Sequence, residues 1–258
     1  MARKEDLFHH FRPEERMLVE RVLDWADRAE RDYRPVFTPF LNPREQKITE
    51  VLVRRAPELS VSFDGGFSGA ERCRGRIEPP FFQPEGEGYG LAFLEVKAHT
   101  SLSHPDVLGS LLGLGVKREK IGDILSVKTG CQLVITEEMA DFVRTQLVRV
   151  GKVSVRVEEI SKNEILASNP PVKSVTVSVA SLRVDAVASD VFRLSRTKAT
   201  SLIRQGKCHI NWKVTENPAE QVARGDVISL RGYGRARVGE MLGTSKKGRF
   251  LLNMMRYI

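Results

Sequence analysis

The sequence predicts an α+β protein with an N-terminal helical segment, a central two-layer α/β sandwich, and a small C-terminal domain in which a basic helix precedes a basic strand. Three observations lead to this prediction. The chain has 258 residues, which is enough for two or three domains with separate cores. Helical and strand-like hydrophobic patterns alternate through its middle. Its excess of positive charge lies entirely after residue 180.

The N-terminal region, residues 1–75, is predicted to be mostly helical. One helical face is formed by apolar residues spaced four, three, four and four apart, which are Leu18, Val22, Trp25, Ala29 and Tyr33. Pro35 ends this helix. A second helix is predicted over residues 43–54, with Asn42 as its N-cap. A short strand at residues 61–63 leads into a turn at residues 64–66.

The central region, residues 76–168, shows strands and helices in alternation. Strands are predicted at residues 91–96, 131–135 and 153–157, and helices at residues 104–114, 121–125 and 137–148. The last helix is expected to turn five apolar side chains inward, namely Met139, Phe142, Val143, Leu147 and Val150. This order predicts a split βαβ sandwich of the ferredoxin-like or RRM-like type, a layout shared by RNA-binding modules and many unrelated proteins. The pair Pro170 and Pro171 predicts a stiff hinge after it.

The C-terminal region, residues 181–258, is the basic part of the chain. It holds 15 Lys and Arg against 6 Asp and Glu, whereas residues 1–180 hold 26 against 27, and the whole chain has a net charge of +8. Positive charge confined to one segment is typical of a surface that binds a polyanion. The alternative is a solvated surface, which is the usual role of charged runs.

A basic helix is predicted to begin after Ser195, whose hydroxyl can cap the first backbone N–H groups. Ala199, Leu202 and Ile203 form its buried stripe, and the remaining face is basic. Gly206 is predicted to end the helix in the left-handed conformation. A short strand at residues 207–211 and a turn at residues 212–213 follow. A tight turn at residues 224–226 and further strands come next, with residues 246–249 as an exposed turn.

This pattern resembles the S-four RNA-binding domain, also called the αL motif, over residues 181–231. The most specific matches lie at residues 195–199, 202–207, 210–211 and 225–226. One departure is Trp212, which stands where many relatives have glycine. An aromatic ring there can stack on an unpaired base or pack under the neighbouring loop, and the sequence leaves both readings open.

The resemblance and the charge predict the RNA-binding residues. The main set lies on the basic helix, the following strand and its turn: Arg183, Ser195, Arg196, Lys198, Thr200, Arg204, Gln205, Gly206, Lys207, His209, Asn211, Trp212 and Lys213. Arg196, Lys198, Arg204, Lys207 and Lys213 are expected to contact phosphates, with the polar and aromatic members nearer to bases or sugars. A secondary set comprises Arg118, Lys120, Arg235, Arg237, Lys246, Lys247 and Arg249.

A wider resemblance extends over essentially the whole chain. Residues 40–45, 65–66, 70–72 and above all 104–125 are similar to the bacterial YlmH family. That resemblance implies a cytosolic RNA-binding protein, encoded in many bacteria near division genes. It also implies ribosomal RNA, tRNA or both on the large subunit as partners, and a role in ribosome-associated quality control of stalled translation. A monomer is expected.

Catalytic signatures are missing from the sequence. It lacks the Gly-Arg-Leu-Asp segment of a pseudouridine synthase, and Gly113 and Gly115 fit helix capping better than a cofactor turn. His99, His104 and Asp106 are better explained by a loop with Ser103 as N-cap than by a metal site. We therefore predict no catalytic residue, no metal and no cofactor. An RNA-modifying enzyme that docks through the S-four domain, and a cell-division scaffold, remain the rival classes.

Compartment follows from simpler features. No apolar run is long enough to span a bilayer, so we expect no membrane partner. Residues 1–6 are charged and no signal-peptide core follows, which predicts a cytoplasmic protein. The isolated cysteines Cys73, Cys131 and Cys208 agree, since they have no metal-ligand spacing and are expected to be buried thiols.

Overall fold

The computed structural model describes residues 11–80, 88–166 and 172–257. Two compact units make up the chain, Met1–Ala167 and Ser168–Ile258. The predicted hinge at Pro170 and Pro171 and the charged residues 1–6 lie outside the described residues. In the part of the chain that is described, no helix has the length and apolar character needed to cross a membrane.

The first unit begins with two helices on a three-stranded sheet. The helices are α1 (Arg16–Asp32) and α2 (Pro43–Val53), and both confirm the sequence prediction. The antiparallel strands are β1 (Val36–Leu41), β2 (Ser60–Asp64) and β3 (Cys73–Glu78), in the order β1-β3-β2. Asn42 caps α2 as predicted, accepting hydrogen bonds from the backbone N–H groups of Arg44 and Glu45 at 2.9 and 3.0 Å.

Three details of this region differ from the prediction. Tyr33 is 58% exposed, because it takes the left-handed conformation just after α1 and leaves the buried face. The strand β1 escaped notice because Pro39 interrupts it, at a register shift between Phe37 and Phe40. The strand β3 has the sequence pattern of a charged loop, although its alternate residues are buried. It spans residue 75, where the sequence analysis ends the N-terminal region.

The first unit continues with the predicted split βαβ sandwich. Its strands are β4 (Leu91–Lys97), β5 (Ile121–Ser126), β6 (Cys131–Thr136) and β9 (Arg156–Ile160), antiparallel in the order β5-β6-β4-β9. The helices α3 (His104–Gly113) and α4 (Ala140–Gln146) follow β4 and β6. A two-residue hairpin, β7 (Arg149–Val150) and β8 (Val153–Ser154), precedes β9. This is the ferredoxin-like topology.

The helix predicted at residues 121–125 is wrong, since this segment is the strand β5. The register of β5 shifts between Ile121 and Ile124, and both side chains are buried. That bulge places apolar residues three apart on one face, which imitates helical spacing. The last helix is also shorter than predicted, and Phe142 is 40% exposed while Val143 and Leu147 are buried.

The second unit is a six-stranded antiparallel sheet with two helices on one face. The strands are β10 (Val172–Val179), β11 (Cys208–Ile210), β12 (Lys213–Thr215), β13 (Val227–Leu230), β14 (Gly234–Thr244) and β15 (Phe250–Tyr257), in the order β10-β15-β14-β13-β11-β12. The helices are α5 (Val184–Val191) and α6 (Arg196–Arg204). The expected tail strands and the turn between them are therefore confirmed.

One core joins the helices to the sheet in this unit. Val187 and Ile203 from the helices pack with Ile228, Leu252 and Met254 from the strands. Because side chains alternate along a strand, the neighbours of these strand residues point to the opposite face, called the outer face below. All three cysteines of the chain are buried free thiols, as predicted.

Candidate nucleic-acid interface

The helix α6 presents one apolar and one basic face. The hydroxyl of Ser195 caps it, accepting a hydrogen bond from the backbone N–H of Lys198 at 3.2 Å. Ala199, Leu202 and Ile203 are buried, as the spacing predicts. Gly206 ends the helix with a φ of 67°, a conformation that glycine adopts without strain.

The basic face carries cations that are free to meet a ligand. Lys198 and Arg204 are exposed and form no ion pair with any residue that the structure describes. Lys213 stands on the same side of the sheet as α6, because it pairs directly with Ile210, whose side chain lies in the core beneath the helices. Thr200 is half-buried on α6, and Lys207 directly follows Gly206 at the end of the helix.

Arg183 and Arg196 share one carboxylate. Asp185, with a side chain only 5% exposed, receives two hydrogen bonds from Arg183 and contacts Arg196 at 3.2 Å. Burial alone would raise the pKa of Asp185, but the hydrogen bond from Arg183 and the charge of Arg196 outweigh it and lower that pKa. Arg196 therefore ties the start of α6 to the start of α5, and only part of its guanidinium can reach a phosphate.

The turn after β11 is a two-residue hairpin with both residues left-handed. Asn211 has a φ of 51° and Trp212 a φ of 63°, the geometry that favours Asn-Gly. The Asn211 side chain is already engaged, since its amide donates to Asp226 at 2.8 Å and its oxygen accepts from the Val227 N–H at 2.9 Å. Trp212 is partly exposed at the tip of the turn.

The predicted residue His209 is turned away from the α6 face, whereas Gln205 is exposed at the end of α6. His209 lies between Cys208 and Ile210, both buried in the core, so its side chain points to the outer face of the sheet. Burial lowers the pKa of His209, which favours its neutral form. The Gln205 side chain donates a hydrogen bond to the Ser201 hydroxyl at 3.0 Å.

Two members of the secondary set have structural partners in the first unit. Arg118 donates to the backbone carbonyls of Ile121 and Gly122 at 2.6 and 3.4 Å. Burial, and then the charge of Arg72, lower the pKa of Arg118 to about 10. Lys120 pairs with Glu138. Arg118 thus supports the start of β5, which accounts for a partly buried arginine at this position.

The other members lie in the second unit. Arg249 donates to the backbone carbonyl and the hydroxyl of Ser178. Lys246 and Lys247 are exposed in the β14–β15 turn. Arg235 and Arg237 belong to the outer face, because Ala236 between them is buried in the core.

One basic residue was missed by the sequence reasoning. Arg193 is exposed in the turn between α5 and α6, with a φ of 56°. Together with Arg196 and Arg249 it lines an open cavity of about 420 Å³ that also contains Asp190. A non-glycine residue in the left-handed region is the signal for such a site, but it is visible only in the backbone.

The four-stranded sheet of the first unit is covered on both faces, although its topology is RRM-like. Every residue of β6 is buried. One face packs under α3 and α4, and the other packs Phe93 and Val134 against Phe40 and Ile165. Gln132 fastens this cover, since its amide donates to the Glu164 carbonyl at 3.0 Å and accepts from the Leu166 N–H at 2.7 Å. Stacking bases on these central strands, as RRM domains do, is therefore blocked.

Residues 99–115, which were considered as a metal site or a cofactor turn, have a structural role. Ser103 accepts a hydrogen bond from the Asp106 N–H at 3.3 Å and caps α3, as predicted. Gly115, with a φ of 88°, ends the same helix. Over the residues that the structure describes, no group of three or more His, Cys, Asp or Glu side chains is arranged to hold a metal ion.

Comparison with known proteins agrees with this architecture. Residues 182–228 match the S4 domain, which is the S-four domain of the sequence analysis. Residues 84–164 match the family described as "Putative RNA-binding domain in YlmH", and residues 14–81 match "YlmH, N-terminal". The fold and the basic helix thus define a protein of the S4 class of RNA-binding proteins.

Two relatives narrow the class. The ribosome-associated protein quality control protein P2 of Bacillus subtilis (strain 168) is 36% identical in an alignment of 257 residues, which covers 97% of this chain and 98% of that protein. The solved structure of the cell division protein ylmH from Streptococcus pneumoniae matches with a TM-score of 0.56 and 27% identity, over 60% of this chain and 96% of that one. The chain belongs to the YlmH family.

Proposed function

We propose that this protein binds structured ribosomal RNA, tRNA or both on the large ribosomal subunit during quality control of stalled translation. The observation that carries the proposal is the basic face of α6, whose other face is buried in the core. There Lys198 and Arg204 are exposed and pair with no acidic residue in the described part of the chain. The name of the Bacillus subtilis relative, a ribosome-associated quality control protein, supports the same role.

The chemistry of this face suits a folded RNA backbone. Lysine and arginine contact phosphates as point charges and as bidentate donors. The bases of an A-form duplex are poorly accessible, so the helix should recognise shape and backbone more than sequence. Each phosphate that is neutralised releases counterions, so the affinity should fall steeply as the salt concentration rises.

We propose further that the protein acts without chemistry on the RNA. Burial raises the pKa of Cys131 and that of Cys208 to about 12, and burial raises the pKa of Cys73 to about 11. All three cysteines are therefore protonated at neutral pH and unsuited to nucleophilic attack. Mass mapping of nucleosides from ribosomal RNA and tRNA incubated with the protein should show no new modification; a modification that depends on the protein would contradict this.

The test of RNA binding is cosedimentation of the full chain with ribosomes. The variant Lys198→Glu with Arg204→Glu should lose association with the large subunit while keeping its melting temperature. These positions are preferable to Arg196, because replacing Arg196 also breaks the pair with Asp185.

A matched control is Lys128→Glu with Lys152→Glu, which makes the same charge change at exposed lysines of the first unit. This control should sediment with ribosomes as the unaltered protein does. Undiminished association of the α6 variant would refute the proposed site, and equal loss in both variants would show that only net charge matters.

A further inference from the structure

We propose that the outer face of the C-terminal sheet, turned away from α5 and α6, binds an unpaired stretch of RNA. The inference rests on the proposed function and adds to it a second surface with its own ligand. The α6 face would hold folded RNA by its backbone, and the outer face would hold a single strand that leaves it.

The strand register places the outer-face residues in rows. His209 pairs with Ser229, which pairs with Arg235, across β11, β13 and β14. In a second row Arg237 pairs with Met255 across β14 and β15. Directly paired residues share a face, so these side chains form one continuous surface. None of them is buried.

The charge of the sheet favours a polyanion. Of the five lysines and arginines in its six strands, Arg235 and Arg237 lie on the outer face, and the strands hold a single acidic residue, Glu240. The other three, Lys173, Lys213 and Arg256, lie on the helix side of the sheet. Glu240 is itself paired with Arg224 at 2.8 Å. A protein partner of ordinary surface composition would find no acidic complement here, whereas RNA supplies phosphate along its whole length.

The same face offers a flat surface for bases. The guanidinium of Arg235 lies over the ring of Tyr257 at 4.7 Å from its centre. Unpaired bases stack on aromatic rings and on arginine planes in single-stranded complexes. Met255 and Arg237 lie beside this pair in the next row, so a stacked base can be followed by a phosphate contact.

The contrast with the first unit sharpens the inference. There, the second sheet face is filled by Phe40 and Ile165. On the outer face of the C-terminal sheet, the partners of Met255 on the two flanking strands are Arg237 and Ser174, both exposed. This surface also lies largely beyond the S4 match at residues 182–228, so it is not the α6 site described above.

The experiment measures binding of the full chain to two labelled probes, a short unstructured RNA and a fully paired RNA hairpin. The variant Arg237→Ser with Tyr257→Leu should bind the unstructured RNA at least about fivefold more weakly. The slope of its salt dependence should fall by about 0.7 for the charge removed. Its affinity for the hairpin should not change.

The matched control is Lys173→Ser, which removes a charge from the same sheet on the other face, since Lys173 pairs with Arg256 in the row of Ala236. It should bind the unstructured RNA like the unaltered protein. Crosslinking of thiouridine-substituted RNA to the unaltered protein should mark the β15 peptide, which tests the surface even if the variant folds poorly.

The outcomes separate the two proposals. Binding of unstructured RNA that needs Arg237 and Tyr257, without hairpin or ribosome binding, would support the outer face and refute the α6 role. The outer-face inference alone would be overturned by another result. In it the unaltered protein binds the hairpin, the variant binds the unstructured RNA as tightly as the unaltered protein does, and no crosslink forms in β15. The inference would also be overturned if the variant kept its affinity for RNA but lost a protein partner whose binding survives nuclease treatment.

Discussion

Asp185 and Arg196 form an ion pair at 3.2 Å in which the carboxylate is buried and the guanidinium half exposed. Asp185 also holds Arg183 at 3.0 Å, so one carboxylate fixes two arginines at the adjoining starts of α5 and α6. The pair sets the position of the basic helix. It also makes Arg196 a residue whose loss has structural as well as electrostatic consequences.

Replacing Asp185 by asparagine should destabilise the second unit by about 2 kcal/mol, because two arginines would face each other without their counter-charge. The value is below that for a fully buried pair, since both arginines reach solvent. Hydrogen exchange should accelerate in peptides covering residues 183–204. Asp190→Asn, at an exposed acid of α5, is the control, and equal exchange in both variants would contradict the prediction.

The same carboxylate predicts an acid-dependent loss of stability. The arginines hold the pKa of Asp185 below its ordinary value. Its contribution is therefore present above the unfolded pKa of about 3.9 and disappears as the pH falls through the lower folded value. Chemical unfolding at pH 7 and at about pH 3 should show that the free energy of unfolding falls less for Asp185→Asn than for the unaltered protein. Identical losses would count against it.

Arg118→Met should lower stability without weakening RNA binding. The change removes the Arg118 donor from the Ile121 carbonyl, which keeps the Nε of Arg72 as a donor at 3.0 Å, so the expected cost is that of one hydrogen bond, about 1 kcal/mol. Urea unfolding and RNA titration measure the two effects. Lys117→Met, at the exposed neighbour, is the control and should do neither. A stable Arg118→Met variant with weakened RNA binding would restore the original interpretation of Arg118 as a contact.

Trp212→Gly should stabilise the second unit and weaken RNA binding together. Glycine removes the left-handed strain of a bulky residue, about 1 kcal/mol. Loss of stacking would weaken binding by about 1–3 kcal/mol. Trp212→Leu keeps the strain and removes the aromatic ring, so it should weaken binding without stabilising. If the glycine variant binds RNA as before, Trp212 only packs within the loop.

Gln132→Leu should loosen residues 162–166, which cover one face of the four-stranded sheet in the first unit. The substitution removes both hydrogen bonds that hold Glu164 and Leu166, and leaves their backbone groups unpaired. Amide exchange of residues 162–166 should rise at least about tenfold, equivalent to about 1.4 kcal/mol. Ser161→Ala, at the start of the same segment, should change it less; unaltered protection in Gln132→Leu would show that Ile165 alone suffices.

Local patterns were predicted well where one element carries the whole signal. The cap at Ser195, the stripe through Ile203 and the stop at Gly206 depend only on helical spacing and backbone freedom, and all are confirmed. The strand β5 was misread because its bulge is set by pairing with β6, which no single segment reveals. The RNA-contact roles of the predicted residues stay predictions.

The sequence by itself determined the alternation of strands and helices in the first unit and the apolar and basic faces of α6, because each is written in spacing along one stretch of chain. It indicated the family through the resemblance of its motifs. Only the tertiary structure decided which sides of the sheets are open. Gln132 and Ile165 close one face in the first unit. Strand register brings Arg235 onto Tyr257 and turns His209 away from α6 in the second. Such relations depend on contacts between residues far apart in the chain, and spacing carries no record of them.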